Sequence, residues 1–320
     1  MAIVAGIDEA GYGPILGPLV STATVFAVPN ELAGKDLWKA LSGSVSRGPA
    51  KRSGKIAVAD SKKLYKRSEG LAVLEKTALS FMRLAGRATG NLDELLKSLR
   101  SNCAGQMKHY PWYRDGVIEL PLAAETADIS VCTNALQAEA KRKGIRFLGA
   151  GSQILLAGRY NELVETTRNK AAVLSGLAGV FLSELVQRYG DKELTVYVDR
   201  QGGRTRYRAF LQQCFSDWEL RIINENKDAS GYEMSKGKLS WQVHFETKAE
   251  LKHLPVALAS IYAKYVRELF MELLNRYWSE QVPGLRPTAG YYTDGKRFLD
   301  DIKPAYENLG TQMSKLVRTR

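Results

Sequence analysis

The first part of the chain shows two apolar runs interrupted by turn residues. Residues 3–28 read as IVAGID and LVSTATVFAV, with the glycine- and proline-rich EAGYGPILGP between them. Because Gly and Pro mark turns between strands, this pattern predicts two strands joined by a hairpin-like connection. Residues 55–59 form a third strand candidate, which runs into DSKKL. Asp8 and Glu9 are therefore expected where the first strand ends.

Apolar residues recur at helical spacing in the second half of the chain. One long helix or two adjoining helices are predicted over residues 155–189, and another over residues 255–278. The second begins at a proline, as first helical turns often do. Its aromatic stripe, Tyr262, Tyr265 and Phe270, is assigned to the core. Between these helices, the runs LTVYVD, WELRIINE and WQVHFE are predicted strands.

The order of these elements predicts the fold class. Strands followed by helices that alternate with strands indicate an α/β fold, a mixed sheet flanked by helices. Residues 75–145 settle into no single period, so they are predicted to be an insertion or small subdomain. The main domain then comprises residues 1–74 and 146–303, with a C-terminal helical region. Residues 304–320 are predicted to form a basic tail.

Composition adds a candidate partner. The chain carries 46 Lys and Arg against 34 Asp and Glu, a formal net charge of +12, which is expected of a polyanion binder. An ordinary basic protein has the same balance, so charge alone leaves both interpretations open. No apolar run approaches the roughly 18 residues of a membrane span, so no membrane partner is expected. Met1 leads directly into a strand-like run, which predicts a cytoplasmic location.

Four acids stand at or near predicted strand ends. Asp8 and Glu9 are adjacent, so they can serve one metal cluster only where the strand ends and the backbone turns. Asp199 ends the apolar run VYVD, where an acid is costly unless it is paired or binds a cation. Glu250 lies in FETKAELKHL together with Glu246, and acids before a helix are also favoured by its dipole.

Each of these acids alone also fits a turn or capping role, whereas the combination suits Mg²⁺ or Mn²⁺, which prefer hard oxygen ligands. The three histidines have no zinc spacing, and no G-x-S-x-G motif is present. The three cysteines are far apart and odd in number, which indicates neither a disulfide framework nor a zinc knuckle.

Several motifs resemble those of one family. GIDEAGYGPILGPLV resembles the opening of the type 2 ribonucleases H, in which an Asp-Glu pair precedes a G-x-G turn. DSKKL, VYVD and GYYT resemble later motifs of the family, in the same order. FETKAELKHLPVALASIYAK resembles the ribonuclease HIII variant, in which a Glu within TKAE replaces the last Asp of ribonuclease HII. Counting back ten residues from Ser260 places that acid at Glu250 and not at Glu246.

The resemblance implies a ribonuclease H-like fold and an endonuclease that hydrolyses the RNA strand of RNA/DNA hybrids. It implies a two-metal site for Mg²⁺ or Mn²⁺, held by Asp8, Glu9, Asp199 and Glu250, with 3′-hydroxyl and 5′-phosphate products. A monomer is expected. The residues expected to contact the nucleic acid are Gly11, Tyr12, Gly13, Lys62, Lys63, Lys264, Arg267 and Tyr291.

Tyr12 departs from the family pattern, because Arg or Lys usually stands at that position. Within the family, cutting at a single ribonucleotide is associated with a G-Arg-G turn that acts with the tyrosine of GYP. Tyr291 resembles that tyrosine, but Tyr12 cannot replace the arginine, so a preference for runs of several ribonucleotides is expected.

Two other functions fit parts of the sequence. The first is a nucleic-acid-binding protein of the same fold without catalysis, with Tyr12 and the insertion as signs of a changed task, although all four acids are retained. The second takes GYGPILGP as a nucleotide phosphate loop. That loop would need a terminal Gly-Lys-Ser/Thr and a following helix, and the sequence supplies neither.

Overall fold

A central mixed sheet carries the elements around it. The computed structural model describes residues 1–49, 54–65, 70–114, 116–200 and 202–319. The strands are β1 (Ala2–Ala10), β2 (Leu19–Val28), β3 (Val45–Ser46), β4 (Ile56–Ala57), β5 (Arg146–Leu155), β6 (Leu194–Asp199), β7 (Glu219–Glu225), β8 (Ala229–Lys236) and β9 (Leu239–Glu246). Seven of them form one sheet in the order β5-β2-β1-β6-β9-β8-β7, and β3 and β4 pair separately.

The helices of the described residues range from single turns to one of 28 residues. They are α1 (Leu37–Ala40), α2 (Ser61–Leu64), α3 (Ala72–Leu84), α4 (Leu92–Ser98), α5 (Ala104–Met107), α6 (Pro111–Arg114), α7 (Thr126–Arg142), α8 (Ala157–Thr167), α9 (Lys170–Tyr189), α10 (Arg208–Cys214), α11 (Leu254–Gln281), α12 (Tyr292–Asn308) and α13 (Met313–Leu316). The predicted mixed sheet flanked by helices is confirmed.

The directions of the strands bring three carboxyl ends to one edge of the sheet. β1 pairs in parallel with β6, and β6 in parallel with β9. The other neighbours in the sheet are antiparallel, including β1 and β2, so the predicted hairpin-like connection is confirmed. The carboxyl ends of β1, β6 and β9 therefore meet at one edge, and such edges collect ligand-binding groups in α/β sheets.

The two faces of the sheet are covered by different helices. Along β1, Ile3, Ala5 and Ile7 belong to the apolar cluster shared with α9 and α10, whereas the alternate residues face α11, as strand geometry requires. α11 lies very close to the strand: a Cβ at Gly6 would stand 2.2 Å from the backbone nitrogen of Val256. Only glycine allows this approach.

By length and apolar content alone, helix α9 could cross a membrane. Half of its 18-residue apolar stretch is buried inside the protein. Since buried core helices have the same composition, this is weak evidence for a span.

The structure corrects some element boundaries. The predicted helical region over residues 155–189 is two helices, separated at Arg168, which has a left-handed φ of 50°. Only Ile56–Ala57 of the candidate strand at residues 55–59 pairs, in the small sheet. β5 and β8 were not predicted. The predicted core stripe on α11 is confirmed, because Tyr262, Tyr265 and Phe270 are buried.

The segments predicted as an insertion and as a tail both contact the main body. Glu75 on α3 is fully buried and accepts a 2.7 Å hydrogen bond from the hydroxyl of Tyr265 on α11. Apolar residues of α3, α4, α6 and α7 lie in the same cluster as those of α11. Helix α12 runs through the predicted tail boundary at residue 304, and Arg318 is 2% exposed. The domain division itself stays a prediction.

Candidate active site

The four predicted acids lie together at the edge where the parallel strands end. Asp8 and Glu9 are near the end of β1, and Asp199 is the last residue of β6. Glu250 lies on a single 3-10 turn, Ala249–Leu251, between β9 and α11. All four line one cavity of about 270 Å³. The neighbouring strands thus bring side chains together that are up to 242 positions apart in the sequence.

Asp8 is held from both flanking segments. It is 7% exposed, and one carboxylate oxygen accepts a 2.7 Å bond from the backbone N–H of Glu9. Ser260 of α11 also donates to Asp8, and the Ser260 hydroxyl lies 2.9 Å from that of Ser61 on α2. Burial raises the pKa of Asp8 well above its usual value, and the charges of Glu9 and Asp199 add to this shift.

Burial and neighbouring acids also raise the pKa values of Glu9 and Asp199. Burial, followed by repulsion from Asp199, raises the pKa of Glu9 to about 8, although the nearby ammonium of Lys62 opposes the shift. Burial raises the pKa of Asp199 to about 6, and the Glu250 carboxyl adds to the shift. The backbone N–H of Ala249 donates to Asp199 over 3.0 Å. Clustered acids of this kind favour the presence of cations or shared protons.

Glu250, and not Glu246, faces this cluster. Glu246 binds Lys252 at 2.9 Å and His253 at 3.1 Å, and these contacts, led by the His253 hydrogen bond, lower its pKa to about 2. Glu250 instead contacts Asp199 through a side-chain hydrogen bond. Its second oxygen, Oε2, is buried without a hydrogen-bond partner among the described residues.

The donor set fits divalent cations. Among the described residues, no group of three or more His, Cys, Asp or Glu side chains is already arranged to hold a metal ion. The four carboxylates offer hard oxygen ligands, however, and the unpartnered Oε2 of Glu250 lacks the partner that a buried carboxylate oxygen requires. A cation in this cavity would offset the burial and the mutual repulsion that raise the pKa values of Asp8, Glu9 and Asp199. The residues that could hold it are Asp8, Glu9, Asp199 and Glu250.

The predicted nucleic-acid contacts differ in exposure. The turn at Gly11, Tyr12 and Gly13 forms one wall of the acid cavity, and Tyr12 is 40% exposed. Tyr291 lines the same cavity and is 54% exposed. Lys62 is exposed at its rim. These side chains are accessible to a ligand in the cavity.

Two of the predicted cations on α11 are engaged inside the protein. Arg267 is 1% exposed and donates to the carbonyl oxygens of Leu16 and Ala289, at 3.1 and 3.0 Å. Lys264 binds Glu268 at 2.7 Å, with 13% of its side chain exposed. Arg267 is therefore not exposed enough to contact a phosphate, because its guanidinium donates to these backbone carbonyl oxygens.

A second groove continues from the acid cavity. It has a volume of about 610 Å³ and includes Asp199 and Glu250 in its wall. Five cationic residues line it: Lys62, Lys63, Arg200, Lys227 and Lys248. The last three were not predicted as site residues. Lys248 stands within the TKAE motif, but the placement of Lys227, on the β7–β8 connection, depends on the hairpin and carries no local sequence signal.

The comparisons with known proteins concern this region. Residues 187–299 match the family model described as Ribonuclease HII, which includes Asp199, Glu250 and α11. No curated protein matches.

Some solved structures also resemble the chain at low sequence identity. Bst-RNase HIII in complex with Mn²⁺ is 18% identical with a TM-score of 0.47, over 99% of this chain and 66% of that chain. RNase HII from Archaeoglobus fulgidus, in a complex with PCNA, is 19% identical with a TM-score of 0.45, over 99% and 94%. Ribonuclease H2 from Pyrococcus horikoshii OT3 is 16% identical with a TM-score of 0.45, over 98% and 92%. The chain thus spans slightly less than two thirds of the Bst-RNase HIII chain.

Proposed function

We propose that this chain is a type 2 ribonuclease H, an endonuclease that cleaves the RNA strand of RNA/DNA hybrids. The Ribonuclease HII match over residues 187–299 supports this proposal. The observation that carries this proposal is the cluster of four carboxylates in one cavity at the ends of three strands. A basic groove adjoins it, which suits a polyanionic substrate.

The acids supply a site for two divalent cations, Mg²⁺ or Mn²⁺, which when bound would stabilise charge on the attacking and leaving oxygens. Asp8, Glu9, Asp199 and Glu250 would hold them. Ser260 and the backbone N–H of Ala249 orient two of these carboxylates. The proposed products carry 3′-hydroxyl and 5′-phosphate ends.

Substrate recognition is assigned to the walls of the cavity. The backbone of Gly11 to Gly13 can approach the ribose of the scissile nucleotide, whose 2′-hydroxyl distinguishes RNA from DNA. Tyr291 offers an exposed ring for stacking at the same cavity. The cations of the basic groove, Lys62, Lys63 and Lys248 among them, would hold backbone phosphates. The monomeric state and the cytoplasmic location stay predictions.

The test is cleavage of a labelled RNA/DNA hybrid by the purified protein. Cleavage is expected with Mg²⁺ or Mn²⁺ and should stop with a chelator. Asp199→Asn should abolish it, whereas Asp191→Asn, an exposed acid near the opposite end of β6, should not. Binding without cleavage under all metal conditions would support the alternative of a nucleic-acid-binding protein without catalysis.

A further inference from the structure

The segment predicted to be a basic tail lies against the glycine turn of the active site. Leu16 and Val317 form a β-bridge, and the backbone N–H of Arg318 donates to the carbonyl of Ile15 over 2.8 Å. Asn161 on α8 anchors the segment, because its amide donates to the carbonyl of Val317 over 2.8 Å. Residues 312–319 are therefore docked beside the turn by backbone and side-chain contacts.

The side chain of Arg318 continues under the turn. It is 2% exposed, and one terminal nitrogen, Nη2, donates to the carbonyl oxygens of both Gly11 and Pro14. Its guanidinium carbon lies 4.8 Å from the ring centroid of Tyr160. Burial, followed by the charge of Arg267, lowers the pKa of Arg318 to about 10. The guanidinium thus remains protonated at neutral pH and keeps all of its N–H donors.

Arg267 supports the same turn from the side of α11. Its guanidinium donates to the carbonyl of Leu16 at 3.1 Å and to that of Ala289 at 3.0 Å. The carbonyl of Gly290 in turn accepts the N–H of Ile15 at 2.8 Å. Two buried guanidiniums, from segments far apart in the sequence, therefore hold carbonyl oxygens of residues 11–16.

This arrangement determines which way one peptide unit faces. In a trans peptide, the carbonyl and the following N–H point in opposite directions. Since the Gly11 carbonyl points at Arg318, the N–H of Tyr12 points away from it. Gly11 has a φ of 91°, a conformation that L side chains rarely adopt. Gly11, Tyr12 and Gly13 are also the part of the turn that lines the acid cavity.

We propose that Arg318 is a positioning residue of the active site, which fixes the Gly11–Tyr12 peptide so that its N–H can donate to the substrate strand. The segment 312–319 is then part of the catalytic architecture and not a solvated tail. This inference rests on the proposed function, because the substrate strand is the ligand that the peptide would serve. Arg318 does not itself touch the reacting atoms.

The test compares Arg318→Met with Arg318→Lys and with Arg159→Met. Arg159 is a neighbouring surface arginine whose side chain is 49% exposed. It serves as the control, because its replacement removes the same charge from an exposed position. Arg318→Met should lower kcat for a long hybrid by about 10- to 100-fold, as misplacement of a positioned group does, while KM changes by less than about 2-fold because the basic groove is intact. Arg318→Lys should recover part of kcat, since an ammonium can reach one carbonyl.

A second readout does not depend on activity. In metal-free protein, backbone amide exchange in residues 10–18 should be faster in Arg318→Met than in wild type and unchanged in Arg159→Met. Should Arg318→Met fail to fold, Asn161→Ala loosens the same segment without touching the turn, and should shift both readouts in the same direction.

Three results would overturn the proposal: unchanged exchange in residues 10–18, unchanged kcat below the melting temperature, or no advantage of Arg318→Lys over Arg318→Met. If wild type itself does not cleave the hybrid, the proposed function fails, and the exchange measurement still decides whether Arg318 fixes the turn.

Discussion

At the scale of single residues, the acid cluster links stability to pH. The pKa of Glu9 is raised from 4.5 to about 8, and that of Asp199 from 3.8 to about 6. A group whose pKa is higher in the folded state stabilises the fold below its unfolded pKa, and this contribution is lost as pH rises through the folded value. The metal-free protein should therefore become less stable between about pH 4 and pH 8.

Thermal unfolding in the presence of a chelator measures this loss of stability of the metal-free protein. The melting temperature should fall as pH rises from 5 to 8, and Mg²⁺ should restore more of it at pH 8, where the acids are ionised. Asp8→Asn should flatten both dependences, because it removes one of the repelling charges. A melting temperature that rises with pH in wild type and variant alike would contradict the assignment of the cluster.

The side chain at position 12 is expected to influence substrate preference. Tyr12 is 40% exposed at the cavity, so an arginine there could reach a phosphate with a planar pair of donors, which tyrosine lacks. Wild type should cut runs of several ribonucleotides efficiently and a single ribonucleotide in duplex DNA weakly, and Tyr12→Arg should raise the second rate. Equal rates on both substrates at moderate salt would refute this expectation.

At the scale of elements, the contact between β1 and α11 sets the site geometry, because it places Asp8 beside Ser260. A Cβ at Gly6 would stand 2.2 Å from Val256 N and 2.3 Å from Pro255 C, and backbone atoms cannot yield as a flexible side chain can. Gly6→Ala should lower the free energy of unfolding by about 3 kcal/mol or more. Gly48→Ala, with nothing within 4 Å of the added Cβ, should change it by less than about 0.5 kcal/mol. Denaturant unfolding checks both.

The elements also show how far sequence patterns extend. β1, β6, β9 and α11 are apolar runs with clear ends, and Asp8, Glu9 and Asp199 lie at or near such ends. Glu250, on the turn between β9 and α11, was distinguished from Glu246 by the resemblance of its motif. β5 was missed because glycines interrupt its run at positions 149 and 151, where no side chain marks a period. The roles of Arg267 and Arg318 could not be predicted, because their carbonyl partners are distant in sequence and backbone acceptors carry no residue signature.

At the scale of the whole molecule, the chain has a net charge of +12, and part of its positive charge lines the groove next to the acids. Lys227 and Lys248 line that groove, so each should release about one counterion when a phosphate binds. In chelator, the slope of log affinity against log salt for a hybrid should become shallower by about 1 for Lys248→Ala. Lys192→Ala, an exposed lysine before the amino end of β6, should leave the slope unchanged. A reduced slope for Lys192→Ala alone would place the substrate elsewhere.

Cleavage of a labelled RNA/DNA hybrid by Glu250→Gln and Glu246→Gln distinguishes the acid cluster from the acid beside it. Glu250 contacts Asp199 and leaves one oxygen unpartnered, whereas Glu246 is paired with Lys252 and His253. With saturating Mg²⁺, Glu250→Gln should lower the cleavage rate by at least about 100-fold, and Glu246→Gln should retain most of it. Full activity in Glu250→Gln, or loss only in Glu246→Gln, would contradict the four-carboxylate site.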